Sequence, residues 1–379
     1  MKRQLLGVAA ILLSISTYAQ DNPLWMRYCA ISPDGTTIAF TYKGDIYTVP
    51  STGGRASQIT TNPAHDTKPI WSPDGKKIAF ASDRMGSMDI FEVNKEGGIP
   101  KRLTTHSGNE TPVAYKDAGH ILFLANIMPT AEDAQFPSGQ FQQVYEVNTE
   151  GGRPILFSSM PMEDISINHT GNTLLYHDKK GYEDPWRKHH TSSITRDIWL
   201  CSLNGNRTFR KQTAFNGEDR TPVWASDDKS FYYLSEEKGS FNIFKRDIDG
   251  NTSKQITNHT KHPVRFLSAA SNGTLCYGYD GEIYTVKEGA IPQKVQISIV
   301  TDKNDKDLIR QIKRSGATEI SLSPDAKEIA FVLRGDVYVT STEYSTTKQI
   351  TNTPQQERDI HFSPDGRSIV SVSYTHLTL

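Results

Sequence analysis

At 379 residues, 36% hydrophobic and 22% charged, the chain has the composition of soluble globular protein and length for one large core or two. A formal net charge of -1 gives no electrostatic footprint for nucleic acid or an anionic membrane surface. Cys29, Cys201 and Cys276, an odd count without Cys-x-x-Cys spacing, supply neither a disulfide framework nor a zinc site and are expected as buried free thiols.

In chain order, Lys2-Arg3 precedes an apolar run from Leu5 to Ile15 and then Thr17-Tyr18-Ala19. This is the pattern of a secretory signal peptide, too short to span a bilayer, and it predicts cleavage after Ala19, export, no membrane attachment afterwards and, in a double-membraned bacterium, a periplasmic product. The first repeat follows, with Ser32-Pro33-Asp34-Gly35, Ile38-Ala39-Phe40, Gly44-Asp45-Ile46-Tyr47, Gly53-Gly54 and Gln58-Ile59-Thr60. The second is the most complete: Ile70-Trp71-Ser72-Pro73-Asp74-Gly75, Lys77-Ile78-Ala79-Phe80-Ala81, Asp89-Ile90-Phe91-Glu92-Val93, Gly97-Gly98 and Lys101-Arg102-Leu103-Thr104. Pro presets φ for a type I turn, Asp suits the third position and Gly takes the left-handed one, so each unit reads as four short antiparallel strands. Its second strand is apolar without interruption, as in a strand covered on both faces. A sheet with two apolar faces must stack between copies of itself, which a β-propeller does around an axis.

The third repeat keeps Ile121-Leu122-Phe123, Gln143-Val144-Tyr145, Gly151-Gly152 and Ile155-Leu156 behind a drifted first turn. The fourth has Ile165-Ser166-Ile167, Thr173-Leu174-Leu175-Tyr176, Asp197-Ile198-Trp199 and Asn204-Gly205. The fifth has Val223-Trp224, Phe231-Tyr232-Tyr233, Asn242-Ile243-Phe244, Asp249-Gly250 and Gln255-Ile256-Thr257. The sixth has Leu275-Cys276-Tyr277, Gly281-Glu282-Ile283-Tyr284 and, as its last strand, Val295-Gln296-Ile297. A charged linker over 301–318 leads to a seventh copy from Glu319 to Thr351 and the opening of an eighth at His361. The fold expected is all-β: a six-bladed β-propeller of four-stranded antiparallel blades over 24–300, then the start of a second propeller over 319–371. One seven- or eight-bladed ring is the alternative. Residues 372–379, VSYTHLTL, leave the repeat register and resemble translated adapter sequence, so they are expected to be non-native and the reading frame to continue elsewhere.

The chain has no Gly-x-Ser-x-Gly elbow, His-Glu-x-x-His, Walker loop or Gly-x-Gly-x-x-Gly, so no catalytic residue, metal or cofactor is expected within it. His259 and His262 are expected in a surface loop without a third metal ligand. Two features remain as candidate substrate contacts. Asp66, Glu110, Asp164 and Asp219 precede the innermost strands, where they are expected either to ring one mouth of the channel and hold the amino group of a peptide, or to brace neighbouring blades. The long insertion 178–195, with Trp186, Arg187 and His189, offers basic and aromatic groups to a peptide or another subunit.

The repeat of SPDG, IAF, GDIY, GG and QIT resembles the TolB-like propeller repeat. Leu24-Trp25-Met26-Arg27-Tyr28 and the string from Glu183 to Ser193 are similar, more narrowly, to the N-terminal region of the tricorn protease family. That resemblance implies a hexameric exported serine peptidase in which the propellers handle oligopeptides, with the catalytic Ser and His beyond residue 379. The alternatives are a non-enzymatic, protein-binding propeller like TolB and the propeller of a prolyl-oligopeptidase-like enzyme.

Overall fold

The computed structural model describes residues 23–127, 141–182, 184, 194–300, 314–353 and 355–374. The signal-like segment, most of the 301–318 linker, and Trp186, Arg187 and His189 lie outside the described residues. The chain forms two compact units, Met1–Thr301 and Asp302–Leu379. Every regular element among the described residues is a β-strand, and the architecture is that of a β-propeller.

The first unit holds six four-stranded antiparallel sheets whose strands run in sequence order, consecutive in all but sheet one, where the short Gly54–Arg55 strand intervenes. Sheet two is representative: Asp66–Trp71, Lys77–Ser82, Asp89–Asn94 and Lys101–Arg102. The first strands of the six sheets, Arg27–Ile31, Asp66–Trp71, Thr111–Asp117, Met162–Ile167, Asp219–Trp224 and Arg265–Ala269, touch in succession, and that of sheet six touches that of sheet one. They make the inner ring.

The Ser-Pro-Asp-Gly turn is held by its own side chains. Ser72 Oγ donates to Asp74 Oδ1 (2.7 Å) while accepting the Lys77 amide (2.9 Å), and Asp74 Oδ1 accepts the Lys76 amide (3.1 Å). The same three bonds recur at Ser32/Asp34, Ser323/Asp325 and Ser363/Asp365. Such local side-chain bonds satisfy backbone donors that the ladder leaves free, which is why the motif punctuates the chain so regularly. The Thr that closes the repeat, in Gln-Ile-Thr or Arg102-Leu103-Thr104, has an equally fixed task. The Thr60, Thr104 and Thr257 hydroxyls accept the amides of Ile46, Ile90 and Ile243, each at 2.9 Å, at buried positions where strand four has parted from strand three.

The core is a series of layers between sheets. Ala39, Ile46 and Ile59 of the first repeat pack on Trp71, Ile78, Phe80 and Phe91 of the second. Ile38, Ala39 and Phe40 are fully buried, as are Ile78, Ala79 and Phe80, the two-sided burial that their unbroken apolarity calls for. Each such Ile or Phe contributes roughly 1.5–3 kcal/mol on leaving water. The indoles of Trp71 and Trp224 also tie adjacent inner strands, donating to Ala30 O (2.9 Å) and Ser166 O (3.1 Å).

Repeat six departs from the sequence reading. Its fourth strand is Gln293–Lys294, and Val295 takes the position Ile59 has in sheet one, its amide donating to Ile283 O (2.9 Å). Ile297 and Ser298 instead pair in parallel with Gly54 and Arg55 of sheet one. Chain from the end of the unit thereby fastens the last sheet to the first. The fit demands glycine: a Cβ on Gly53 (φ +93°) would lie 2.7 Å from Gln296 O.

In the second unit Ala317–Leu322, Glu328–Leu333, Asp336–Ser341 and Thr347–Gln349 make one four-stranded sheet, and Gln356–Phe362 pairs with Ile369–Tyr374. Strand pairing therefore continues through residues 372–374, the first three of the segment that left the repeat register.

Gly97 has nearly the φ of Gly53 (+94°) but only ordinary contact with its nearest neighbour, Ile59 O at 3.7 Å. Both Gly→Ala changes strain the backbone, so their difference isolates the latch. Gly53→Ala is expected to destabilise by about 1–3 kcal/mol more than Gly97→Ala in urea denaturation.

Candidate functional site

Five of the six inner strands begin with a backbone bond to the preceding sheet. The amide of Asp66 donates to Gly44 O, Glu110 to Met88 O, Asp219 to Arg196 O, Val264 to Phe241 O and Met26 to Gly281 O, at 2.7–3.1 Å. The side chains of these residues are buried, between 0% and 4% exposed. Asp66, Glu110 and Asp219 are therefore not a ring of exposed carboxylates at a channel mouth. Asp66 takes both oxygens to Arg84 Nη2 (2.9 and 2.8 Å), and that guanidinium lies over Phe91, 4.6 Å from the ring centroid. Burial pushes the Glu110 carboxyl up to about 7, with Asp89 adding to the rise while Thr104 and Arg102 oppose it. Burial likewise pushes Asp219 up to about 6 against the Ser235 and Thr213 hydroxyls.

Asp164 stands at a different point of the repeat, where it is about half exposed (47% for the side chain). It has a positive φ of 48°, as do Tyr28 (52°), Lys68 (54°), Thr221 (51°) and Phe266 (57°). In every one of these strands the pairing with strand two slips at this residue, a β-bulge. Met162, fully buried, holds in sheet four the slot that Asp66 and Asp219 hold in theirs. The acid series thus joins two different positions: three buried junction residues and one bulge residue.

The bulge residues converge. Lys68 Nζ sits 5.7 Å from the centroid of the Tyr28 ring, and Tyr28 packs on Phe266 with centroids 4.8 Å apart. Thr221 Oγ1 donates to Asp164 Oδ2 (2.6 Å). Asp164 acts electrostatically on both Tyr28 and Lys68. Burial lowers the Lys68 ammonium, opposed by Asp164 and Glu163.

Around this ring lies a polar network that the sequence reading did not pick out. Glu163 accepts from Lys179 Nζ (2.7 Å), meets His177 Nε2 (3.2 Å) and lies 3.6 Å from Arg196 Nε. The Thr221 amide lies 3.3 Å from His177 Nδ1, and Nε2 of the same ring faces Glu163. Burial alone would raise the Glu163 carboxyl, but His177 and Lys179 outweigh it and hold it well below the usual carboxylate range. Arg196 Nη1 donates to Glu218 (2.9 Å), with Arg220 Nη1 at 3.5 Å from the same carboxyl and its guanidinium 4.1 Å from the Phe241 centroid. Desolvation lowers both Arg220 and Arg265. This mixed cluster of Lys68, Glu163, Asp164, His177, Arg196, Glu218, Arg220 and Arg265 is braced by charge-assisted bonds; His177, Arg196, Glu218 and Arg220 are buried, while Asp164 is about half exposed. Its one sequence signal is the pair following each junction residue: Thr67-Lys68, Glu163-Asp164, Arg220-Thr221 and Arg265-Phe266.

No group of three or more metal-ligating side chains gathers among the described residues. His259 lies in the loop between strands, as expected, but is half-buried there, stacked on Tyr279 (centroids 3.9 Å apart) with Nε2 2.9 Å from the Tyr277 hydroxyl. His262 faces Asp280 at 3.3 Å. The three cysteines are buried and free.

A family profile described as the tricorn protease N-terminal beta propeller domain matches residues 23–290. Tricorn protease homolog 1 of Streptomyces coelicolor is 24% identical over 339 residues, covering 88% of this chain and 30% of that protein. A tricorn protease homolog of Saccharolobus solfataricus is 27% identical over 295 residues, covering 74% of this chain and 26% of its own length. The crystal structure of the tricorn protease superimposes with a TM-score of 0.62 at 19% identity, over 90% of this chain and 33% of that one. The chain thus spans about a third or less of these relatives.

The raised carboxyls set a pH dependence. Glu110 and Asp219 bind their protons more tightly folded than unfolded, so their contribution is fully present at pH below the unfolded values of 4.5 and 3.8 and is lost as pH rises through about 7 and about 6. Glu110→Gln is expected to stabilise by on the order of 3 kcal/mol at pH 8 and by about 1 or less at pH 5, read from denaturant midpoints at the two pH values.

Proposed function

This chain belongs to the tricorn protease N-terminal β-propeller family, and from that premise we propose that it is the substrate-handling front of an exported, periplasmic serine peptidase that degrades oligopeptides. The observation that carries the reading is the mixed-charge cluster on the inner ring. A peptide brings an ammonium at one end and a carboxylate at the other, and the axis offers Asp164 for the first and Lys68 with Arg265 for the second. Positions at which the backbone takes a non-glycine left-handed conformation cost about 1–3 kcal/mol each, and repeating that cost in sheet after sheet is consistent with side chains that serve a ligand. Asp66, Glu110 and Asp219 have no place in this binding, because they are withdrawn from solvent. Hexameric assembly and a catalytic domain downstream of residue 379 complete the proposal.

Two measurements test it. The complete reading frame is expected to encode a serine peptidase domain, and the enzyme to cleave oligopeptides. A frame without one, or with a Gly-x-Ser-x-Gly hydrolase, overturns the reading. In fluorescence anisotropy with a labelled, unblocked oligopeptide, Lys68→Ala with Asp164→Asn is expected to weaken binding about tenfold or more, as the loss of two charge-assisted contacts implies. Asp66→Ala lowers the melting temperature without weakening peptide capture by the folded fraction.

A further inference from the structure

The last sheet meets the first at a junction that holds two of the three cysteines in the sequence. Cys29 lies in the first strand of sheet one and Cys276 in the second strand of sheet six, 4% and 0% exposed within one apolar cluster. Their surroundings bring them together. Cys276 is the ladder partner of Ser268, whose hydroxyl accepts the Ile31 amide (3.0 Å) and lies 3.4 Å from Cys29 O and 3.5 Å from Cys276 O. The Cys29 thiol donates to Phe266 O (3.4 Å), in the same inner strand as Ser268. Cys201 is elsewhere, in sheet four, its thiol 3.5 Å from Ser202 O.

We propose that Cys29 and Cys276 are a modification site: they form a disulfide that joins sheet one to sheet six and locks the ring at its closure. Everything else described at this junction is non-covalent: the Met26–Gly281 backbone bond, the Gly54/Ile297 pairing and side-chain packing. The residues joined are far apart in sequence, the case in which a cross-link most restricts the unfolded chain. The co-reactant is a disulfide, either a small one such as oxidised glutathione or that of a thiol oxidoreductase. One cysteine thiolate attacks a sulfur of that disulfide, forming a mixed disulfide and expelling one thiolate. The second cysteine thiolate then attacks the protein sulfur of the mixed disulfide and expels the other. Two electrons pass to the oxidant, and the two cysteine protons end on its two thiols. Burial and the neighbouring Cys29 push the Cys276 thiol up, so exchange is slow once the ring has closed and proceeds while sheet one is still undocked. The inference is independent of the peptidase reading.

The test refolds the full chain in a glutathione redox buffer, alkylates it, and maps peptides by mass spectrometry without reduction. A linked Cys29–Cys276 peptide lighter by two hydrogens is expected, with Cys201 alkylated. The melting temperature is expected to be on the order of 5–10 °C above that of the reduced protein. Wild type with and without reductant supplies this comparison even if a cysteine variant fails to fold, while Cys29→Ala and Cys276→Ala each abolish the redox dependence. Cys29 and Cys276 both alkylated after oxidation, a linkage to Cys201, or a cross-link that leaves the melting temperature unchanged overturns the proposal.

Discussion

At five junctions of the first unit the amide that opens an inner strand donates to the carbonyl just before the third strand of the preceding sheet. That one backbone bond fixes three things. It sets how far each sheet is rotated against the last. It buries the side chain of the donating residue, whether Asp66, Glu110, Asp219, Met26 or Val264. It also leaves the following residues, released from the ladder by a bulge, to meet at the axis. The same bond occurs in the second unit, from the Glu357 amide to Gly335 O at 2.7 Å. Non-covalent closure of the ring is the special case in which Met26 finds Gly281.

The junction also explains why acids and apolar residues alternate there without a change of structure. The backbone bond is indifferent to side chain, so what remains is a small buried volume that Met26 fills with methylenes and Asp66 fills with Arg84. The second solution makes a buried ion pair, which contributes specificity more readily than stability because desolvation offsets much of the attraction. At Glu110 the nearest cation, Arg102, is engaged at 2.8 Å by Asp89, and the carboxyl adapts by holding its proton.

Much of the fold was legible because its signals are local. Ser-Pro-Asp-Gly, the apolar second strand and the closing Thr each answer a backbone requirement within a few residues, so their spacing reports the blades directly. The reading failed where distant backbone decides. Nothing in Met162-Glu163-Asp164 marks which residue opens the strand and which takes the bulge, because the left-handed position is occupied by Tyr28, Lys68, Asp164, Thr221 and Phe266 rather than by glycine. Asp164 was therefore grouped with residues two places away. Val295-Gln296-Ile297 imitates the closing motif, yet the register of strand three claims Val295, and the following residues are free to cross to sheet one. The axial cluster was missed for a related reason: its members are ordinary charged residues until six strands bring them together.

Native-state hydrogen exchange at the junction amides tests the central claim most directly. The account predicts that the amides of Met26, Asp66, Glu110, Asp219 and Val264 exchange only through global unfolding, with one common free energy that matches denaturant unfolding of the first unit. A Met26 amide that exchanges freely while the other four stay protected would show sheets stacked without a closed ring, and would contradict it.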